Sequence, residues 1–258
     1  MKMHPVLLMI VAATLAAGGC MAPSARTDAL NPDPSHHASN ALDWAGAYRG
    51  VLPCADCEGI ETVVVLAKDT TYSTHSKYLG KGNKVFSEQG NFTWNEAGNT
   101  VTLAGPEPAR YFVGENRLTR LALDGSRITG VLAENYVLVK LPDGVTDKYW
   151  KLVELNGQPV PALEREPHLI LKAADGRMSG FGGCNTFTGS YKLNEATSRV
   201  HFEKIASTMM ACPSGMDIEQ AFHDVLSAVD NYSLNGQHLT LNRARMAPLA
   251  RFEAVYLK

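Results

Sequence analysis

The sequence predicts a mainly β chain, in which a closed antiparallel barrel is followed by an α+β unit of strands and one amphipathic helix. Three observations carry that expectation. Short runs rich in Val, Thr, Tyr and Phe recur from Trp44 to about Leu141, separated by turns such as "GKGN", "NEAGN" and "LDGS". Many short strands at even spacing favour closure into a barrel, which leaves no exposed edge. After a looser stretch at "PDGVTDKYW", a second series of strand-like runs is interrupted by one segment with helical spacing.

Length and charge limit what the chain can be. Its 258 residues leave room for two modest domains, each able to bury a core of its own. The 24 Lys and Arg are scattered against 26 Asp and Glu, so no basic stripe offers a footprint for a phosphate backbone. Nucleic acid is not an expected partner.

The N-terminus opens with Lys2, the unbroken apolar run Val6 to Ala17, and then Gly18, Gly19 and Cys20. This pattern is that of a secretory signal over residues 1–19. Its apolar run is well short of the roughly 20 residues that span a bilayer. A cysteine directly after the small-residue site resembles the bacterial lipobox, with Ala17 where that pattern most often has Leu. The resemblance implies acylation of Cys20, and several acyl chains anchor stably where one holds only marginally. Met21 follows in place of Asp, which by the sorting rule of Gram-negative lipoproteins implies the outer membrane, periplasmic face. Residues 20–43, rich in Pro, Ser, Asn and Ala, are expected to form a flexible tether. His36 and His37 in it are expected to be polar filler.

Residues 44–141 form the predicted barrel and residues 148–258 the second unit. In the latter, Ile218, Ala221, Phe222, Val225, Leu226 and Val229 recur at three- and four-residue steps, and Ser214 with Asp217 is expected to cap the helix start.

Two resemblances emerge from the residues themselves. "AYRGVLPCADCEGIETVVVLAKDTTY", "KYLGKGNKVFSEQGNFTW", "VGENRLTRL" and "GVLAENYVLVK" resemble the N-terminal domain of the NlpE family, lipoproteins associated with copper resistance and envelope-stress sensing. "YWKLVELNGQPV", "GRMSGFGGCNTFTGSY", "STMMACPSGMDIEQAFHDVL" and "LARFEAVYL" resemble the META domain of HslJ-type proteins. They imply a lipocalin-like barrel followed by a META fold, where the NlpE-like family often has an OB-type C-terminal domain instead.

Setting Cys20 aside leaves Cys54, Cys57, Cys184 and Cys212, an even count that fits disulfides in an exported chain. Of three connectivities, Cys54–Cys57 with Cys184–Cys212 keeps one pair in each domain. Loop-closure entropy gives the 29-residue loop about 3.6 kcal/mol and the four-residue loop about 1.9 kcal/mol. The first is worth having as a staple, whereas the second is a weak one.

Three roles compete for Cys54 and Cys57: a plain bridge, a thiol-exchange centre and a metal site. Thiol exchange of the thioredoxin type needs a helix N-terminus to lower the thiol pKa, yet Gly59 and the β-branched run "IETVVVL" follow this pair. Two thiolates suit Cu(I) or Zn(II), so Cys54 and Cys57 are candidate copper ligands, with Asp56, Glu58 and His75 as possible helpers. Met178, Met209, Met210 and Met216 are expected to be core fillers around Cys184 and Cys212. "GFGGCN" is expected to be a tight turn, and Glu219 with His223 a solvated helical pair.

The expected function is therefore a non-enzymatic outer-membrane lipoprotein that senses copper, redox state or envelope stress. It requires no cofactor, Cu(I) being the candidate ligand, and is expected to pass its signal to an inner-membrane stress-signalling partner. The alternatives are an envelope structural or ligand-binding module with purely structural disulfides, and a thiol enzyme.

Overall fold

The computed structural model describes residues 37–106, 108–245 and 247–257. The expected signal peptide, the lipidation site Cys20, most of the tether and His36 lie outside the described residues.

The chain enters through a single helical turn, α1 (Ala38–Ala41). Eight antiparallel strands then close on themselves: β1 (Gly46–Leu52), β2 (Ile60–Leu66), β3 (Thr71–Tyr78), β4 (Val85–Trp94), β5 (Thr100–Leu103), β6 (Ala109–Gly114), β7 (Arg117–Arg120) and β8 (Val137–Lys140). Each pairs with its sequence neighbour, and β8 returns to β1 through Lys140 opposite Tyr48 and Val139 opposite Arg49. Tyr48, Val64, Leu66, Phe92, Val101, Val113, Leu118 and Leu138 point inward and fill the lower half of the barrel.

That lower end is plugged. Trp44 sits edge-on to Phe92, with ring centroids 5.8 Å apart, and to Trp94 at 5.4 Å, while Ala38 and Leu42 pack beside it. The plug is tied by polar bonds from Trp44 Nε1 to Ser39 O (2.8 Å) and from Lys140 Nζ to Asp43 O (2.7 Å) and Asp43 Oδ2 (2.8 Å). Residues 37–43, expected as the end of a flexible tether, are thus part of the barrel's closure. One helical turn is too short to show an apolar period, which is why composition alone reads as coil. His37, expected as filler, places Nδ1 2.8 Å from Ala97 O and packs on the turn at Gly98.

The second unit is also a barrel. Strands β9 (Tyr149–Leu155), β10 (Gln158–Pro159), β11 (His168–Lys172), β12 (Arg177–Phe181), β13 (Thr186–Asn194), β14 (Arg199–Ser207), β15 (Asn231–Asn235), β16 (His238–Arg243) and β17 (Ala247–Val255) form one antiparallel sheet. It closes where β17 pairs with β9, leaving β10 as a short flap on β9. Helix α2 (Met216–Ala228) lies against this barrel, with Phe222, Val225 and Leu226 buried. Phe222 meets Phe187 edge-on at 5.5 Å and Phe252 at 5.8 Å. The helical spacing read from the sequence thus marks the packed face.

The expected cap does not form. The residue preceding the helix is Gly215 at φ 84°, with no side-chain cap. A Cβ on Gly183 would lie 2.6 Å from Gly215 O, so these two backbones cross at a distance only glycine permits. The crossing sets the direction in which the chain enters the helix.

The two barrels touch. Val63 and Val65 face outward on β2 yet are 0 % and 4 % exposed, because Leu257, Tyr256 and Leu141 cover them. Gln237 Nε2 donates to Ser73 Oγ across the same junction (3.4 Å).

Candidate redox and metal site at the barrel mouth

The upper end of the first barrel is open. Here β1 ends and β2 begins, joined by the turn from Pro53 to Gly59 that holds Cys54 and Cys57. The two residues are half-buried and their sulfurs are bonded to each other, with Cα atoms 5.4 Å apart. Gly59, at φ 152°, starts the return: a Cβ there would run into the Val51 side chain, and Gly59 O accepts from Leu79 N (3.0 Å). A positive φ and a close approach coincide at this residue, so the turn is pinned to the rim.

Cys54, Asp56 and Cys57 bring their ligand atoms within 4.8 Å of one another. Asp56 Oδ1 lies 3.4 Å from Cys54 Sγ, and its other oxygen pairs with Lys81 Nζ at 3.3 Å. Of the possible helpers, only Asp56 joins the sulfurs. Glu58 lies against Gly80 in the β3–β4 turn. His75 is on the outer wall of β3, with Nδ1 2.9 Å from Ser87 Oγ and its ring 6.4 Å from that of Tyr256. Burial against the second barrel pushes the His75 imidazole below its ordinary pKa.

The chemistry available at the turn follows. With the sulfurs bridged, neither offers a thiolate to a metal. Once reduced, two thiolates and one carboxylate form a donor set that fits a soft, low-coordinate cation. No helix begins at this turn, and the Asp56 carboxylate disfavours a neighbouring thiolate, an effect that Lys81 partly offsets. The pair therefore lacks the electrostatic setting that drives fast thiol exchange.

The second disulfide is built differently. Cys184 is 3 % exposed and bridged to Cys212, with Cα atoms 5.7 Å apart. Glu219 is not the solvated partner of His223 that its spacing predicts. Its carboxylate accepts from Cys184 N (3.1 Å), from Asn185 N and from Asn185 Nδ2 (3.0 Å), holding the glycine turn against the helix. Sequence spacing finds same-helix neighbours, whereas the real partner is a loop 34 residues away. Asn185 extends the network: its Oδ1 accepts from Met210 N (2.8 Å) and Thr208 Oγ1 (2.7 Å). That residue carried no sequence signal beyond its place in the turn.

The methionine expectation fails for three of four residues. Met178 is buried, but Met209, Met210 and Met216 are 98 %, 59 % and 49 % exposed. Met209 and Met210 belong to the segment that Cys212 and Asn185 hold at the surface, and Met216 opens α2 on its exposed side, so their apolar character reflects no core position.

Comparison with known proteins finds a match for each unit. Residues 48–131 match the family model of the NlpE N-terminal domain, and residues 143–256 match that of the META domain. Over 116 residues the chain is 34 % identical to the lipoprotein NlpE of Escherichia coli (strain K12), covering 44 % of this chain and 47 % of the relative. It therefore spans about half the length of that curated relative. Among solved structures, one from Shewanella oneidensis is 48 % identical, covering 40 % of this chain and 94 % of that chain, with a TM-score of 0.39. The Cpx pathway activator NlpE from Escherichia coli is 17 % identical, covering 64 % and 90 %, with a TM-score of 0.31.

Proposed function

Because the chain joins an NlpE N-terminal domain to a META domain, we propose that it is a non-enzymatic, lipid-anchored lipoprotein of the bacterial envelope, with the Cys54–Cys57 turn as its sensing element. The observation that carries this reading is the position of the pair: a half-buried bridge on the open rim of a barrel, with a carboxylate beside its sulfurs. Reduction by a dithiol transfers two electrons and two protons to the bridge, and the reductant leaves as its own disulfide. The two thiols then release protons as they take up Cu(I), so metal binding is gated by redox state. Cys20 is the anchor, and the outer membrane is the destination that Met21 implies. The likeness to the lipoprotein NlpE of Escherichia coli supports a role in envelope-stress signalling, with an inner-membrane protein as the partner. The META unit stands where that family often has another domain, so contact with the partner falls to the NlpE-like barrel.

The test is the double substitution Cys54→Ser with Cys57→Ser in the full chain. It is expected to leave circular dichroism unchanged while abolishing Cu(I) retention and altering the output of an envelope-stress reporter. Unchanged behaviour in both assays removes this reading.

A second reading, ligand binding, is favoured by one observation: the first barrel is not packed solid. Its mouth opens into a cavity of about 320 Å³.

A further inference from the structure

The cavity at the mouth has polar walls. Among its lining residues are Glu88 on β4 and Arg120 on β7, which point into the lumen from walls three strands apart in an eight-stranded barrel. Among the described residues, neither makes an ion pair. Glu88 Oε1 accepts from Tyr72 Oη (2.8 Å), and Arg120 Nη1 donates to Tyr111 Oη (3.0 Å). Each charge is thus oriented by one tyrosine and keeps further hydrogen-bonding capacity: a second carboxylate oxygen on Glu88 and the remaining guanidinium N–H groups on Arg120.

Two opposite charges that share a lumen without pairing are expensive to maintain in a half-buried site. A barrel filled only for stability would close this space with apolar side chains, aliphatic and aromatic, as the lower half does. The rim above is aromatic. Tyr78 and Phe86, both partly exposed, stack edge-on at 5.6 Å, and Leu52 and Pro53 lead from the cavity into the disulfide turn. The volume lies at the lower end of small-molecule sites.

We propose that the first barrel binds a small zwitterion of the amino-acid or dipeptide class, with its carboxylate on Arg120, its ammonium on Glu88 and an apolar side chain toward Tyr78 and Phe86. A bidentate carboxylate contact suits the guanidinium fork, and Tyr111 holds one edge of that fork in place. This site does not rest on the redox reading, because none of its charged groups is a sulfur or a metal ligand. An occupant would nonetheless touch the wall on which the disulfide turn is mounted.

The experiment is calorimetric titration of the full chain with L-phenylalanine and with the dipeptide Gly-Phe. N-acetyl-L-phenylalanine serves as the anion-only probe and phenethylamine as the cation-only probe. Saturable binding of at least one zwitterion is expected, with each singly charged probe at least about tenfold weaker. Arg120→Met and the near-isosteric Glu88→Gln should each weaken the zwitterion by at least about tenfold, the second without disturbing the fold. Absence of saturable binding of both zwitterions overturns the proposal. So does equal binding of N-acetyl-L-phenylalanine, which would mark an anion site alone, or unchanged affinity in the Glu88→Gln variant.

Discussion

Replacing Phe222 with alanine is expected to destabilise the second barrel by about 3–5 kcal/mol, the range for removing a large side chain from a packed core. Phe222 is fully buried and touches two rings on the barrel, Phe187 and Phe252, so it is where helix and sheet are joined. Its removal deletes apolar contact and leaves a cavity walled by strands that cannot collapse inward. For a unit of this size the loss corresponds to a fall in Tm on the order of 15 °C or more. Differential scanning calorimetry should show this in one transition only, because α2 contributes nothing to the first barrel's core. A shift of a degree or two would mean that the helix is an appendage and not a wall of the core.

The second large effect separates the two disulfides. Opening Cys184–Cys212 with a pair of serines releases a loop with 28 residues of sequence separation and should destabilise the second barrel by about 3.6 kcal/mol on loop-closure entropy. The same exchange at Cys54 and Cys57, three residues apart, should cost about 1.9 kcal/mol at most. The contrast widens on structural grounds, since Cys184 also anchors the turn that Glu219 holds, whereas the rim turn is tied independently through Gly59 and Leu79. Chemical denaturation of each double variant measures both values. Equal losses would make the rim bridge a staple like the other and would weaken its case as a switch.

Much of this architecture is written in the sequence, and the gaps have physical causes. The strand runs, the glycine turns and the apolar spacing of α2 are local signals, and local signals survive in one dimension. Closure of the second sheet does not, because it depends on β17 returning to β9 across the whole unit. The run "TVVVL" held a further clue: its residues are buried on both faces of β2, inward at Val64 and Leu66 and outward at Val63 and Val65. Continuous apolar character marks a strand covered on both sides, here by the second barrel. Cys54 and Cys57 were visible as a pair in a turn, but their place on an open rim, and the choice of Asp56 over Glu58 and His75, came only with the third dimension. Glu88 and Arg120 were invisible as a site, being single charged residues on separate strands that only barrel closure brings into one lumen.

A switch at the rim opens while both barrels stay folded, whereas a brace does not, and a free-thiol count distinguishes the two. Under mild reduction with glutathione, with the protein still folded, alkylation followed by peptide mass analysis should find two modified thiols, at Cys54 and Cys57, while Cys184–Cys212 stays closed. Adding Cu(I) before alkylation should protect those two thiols. If the rim bridge stays closed until the second barrel unfolds, or if Cu(I) leaves the reduced pair fully reactive, the turn is structural and the sensing role assigned to it is wrong.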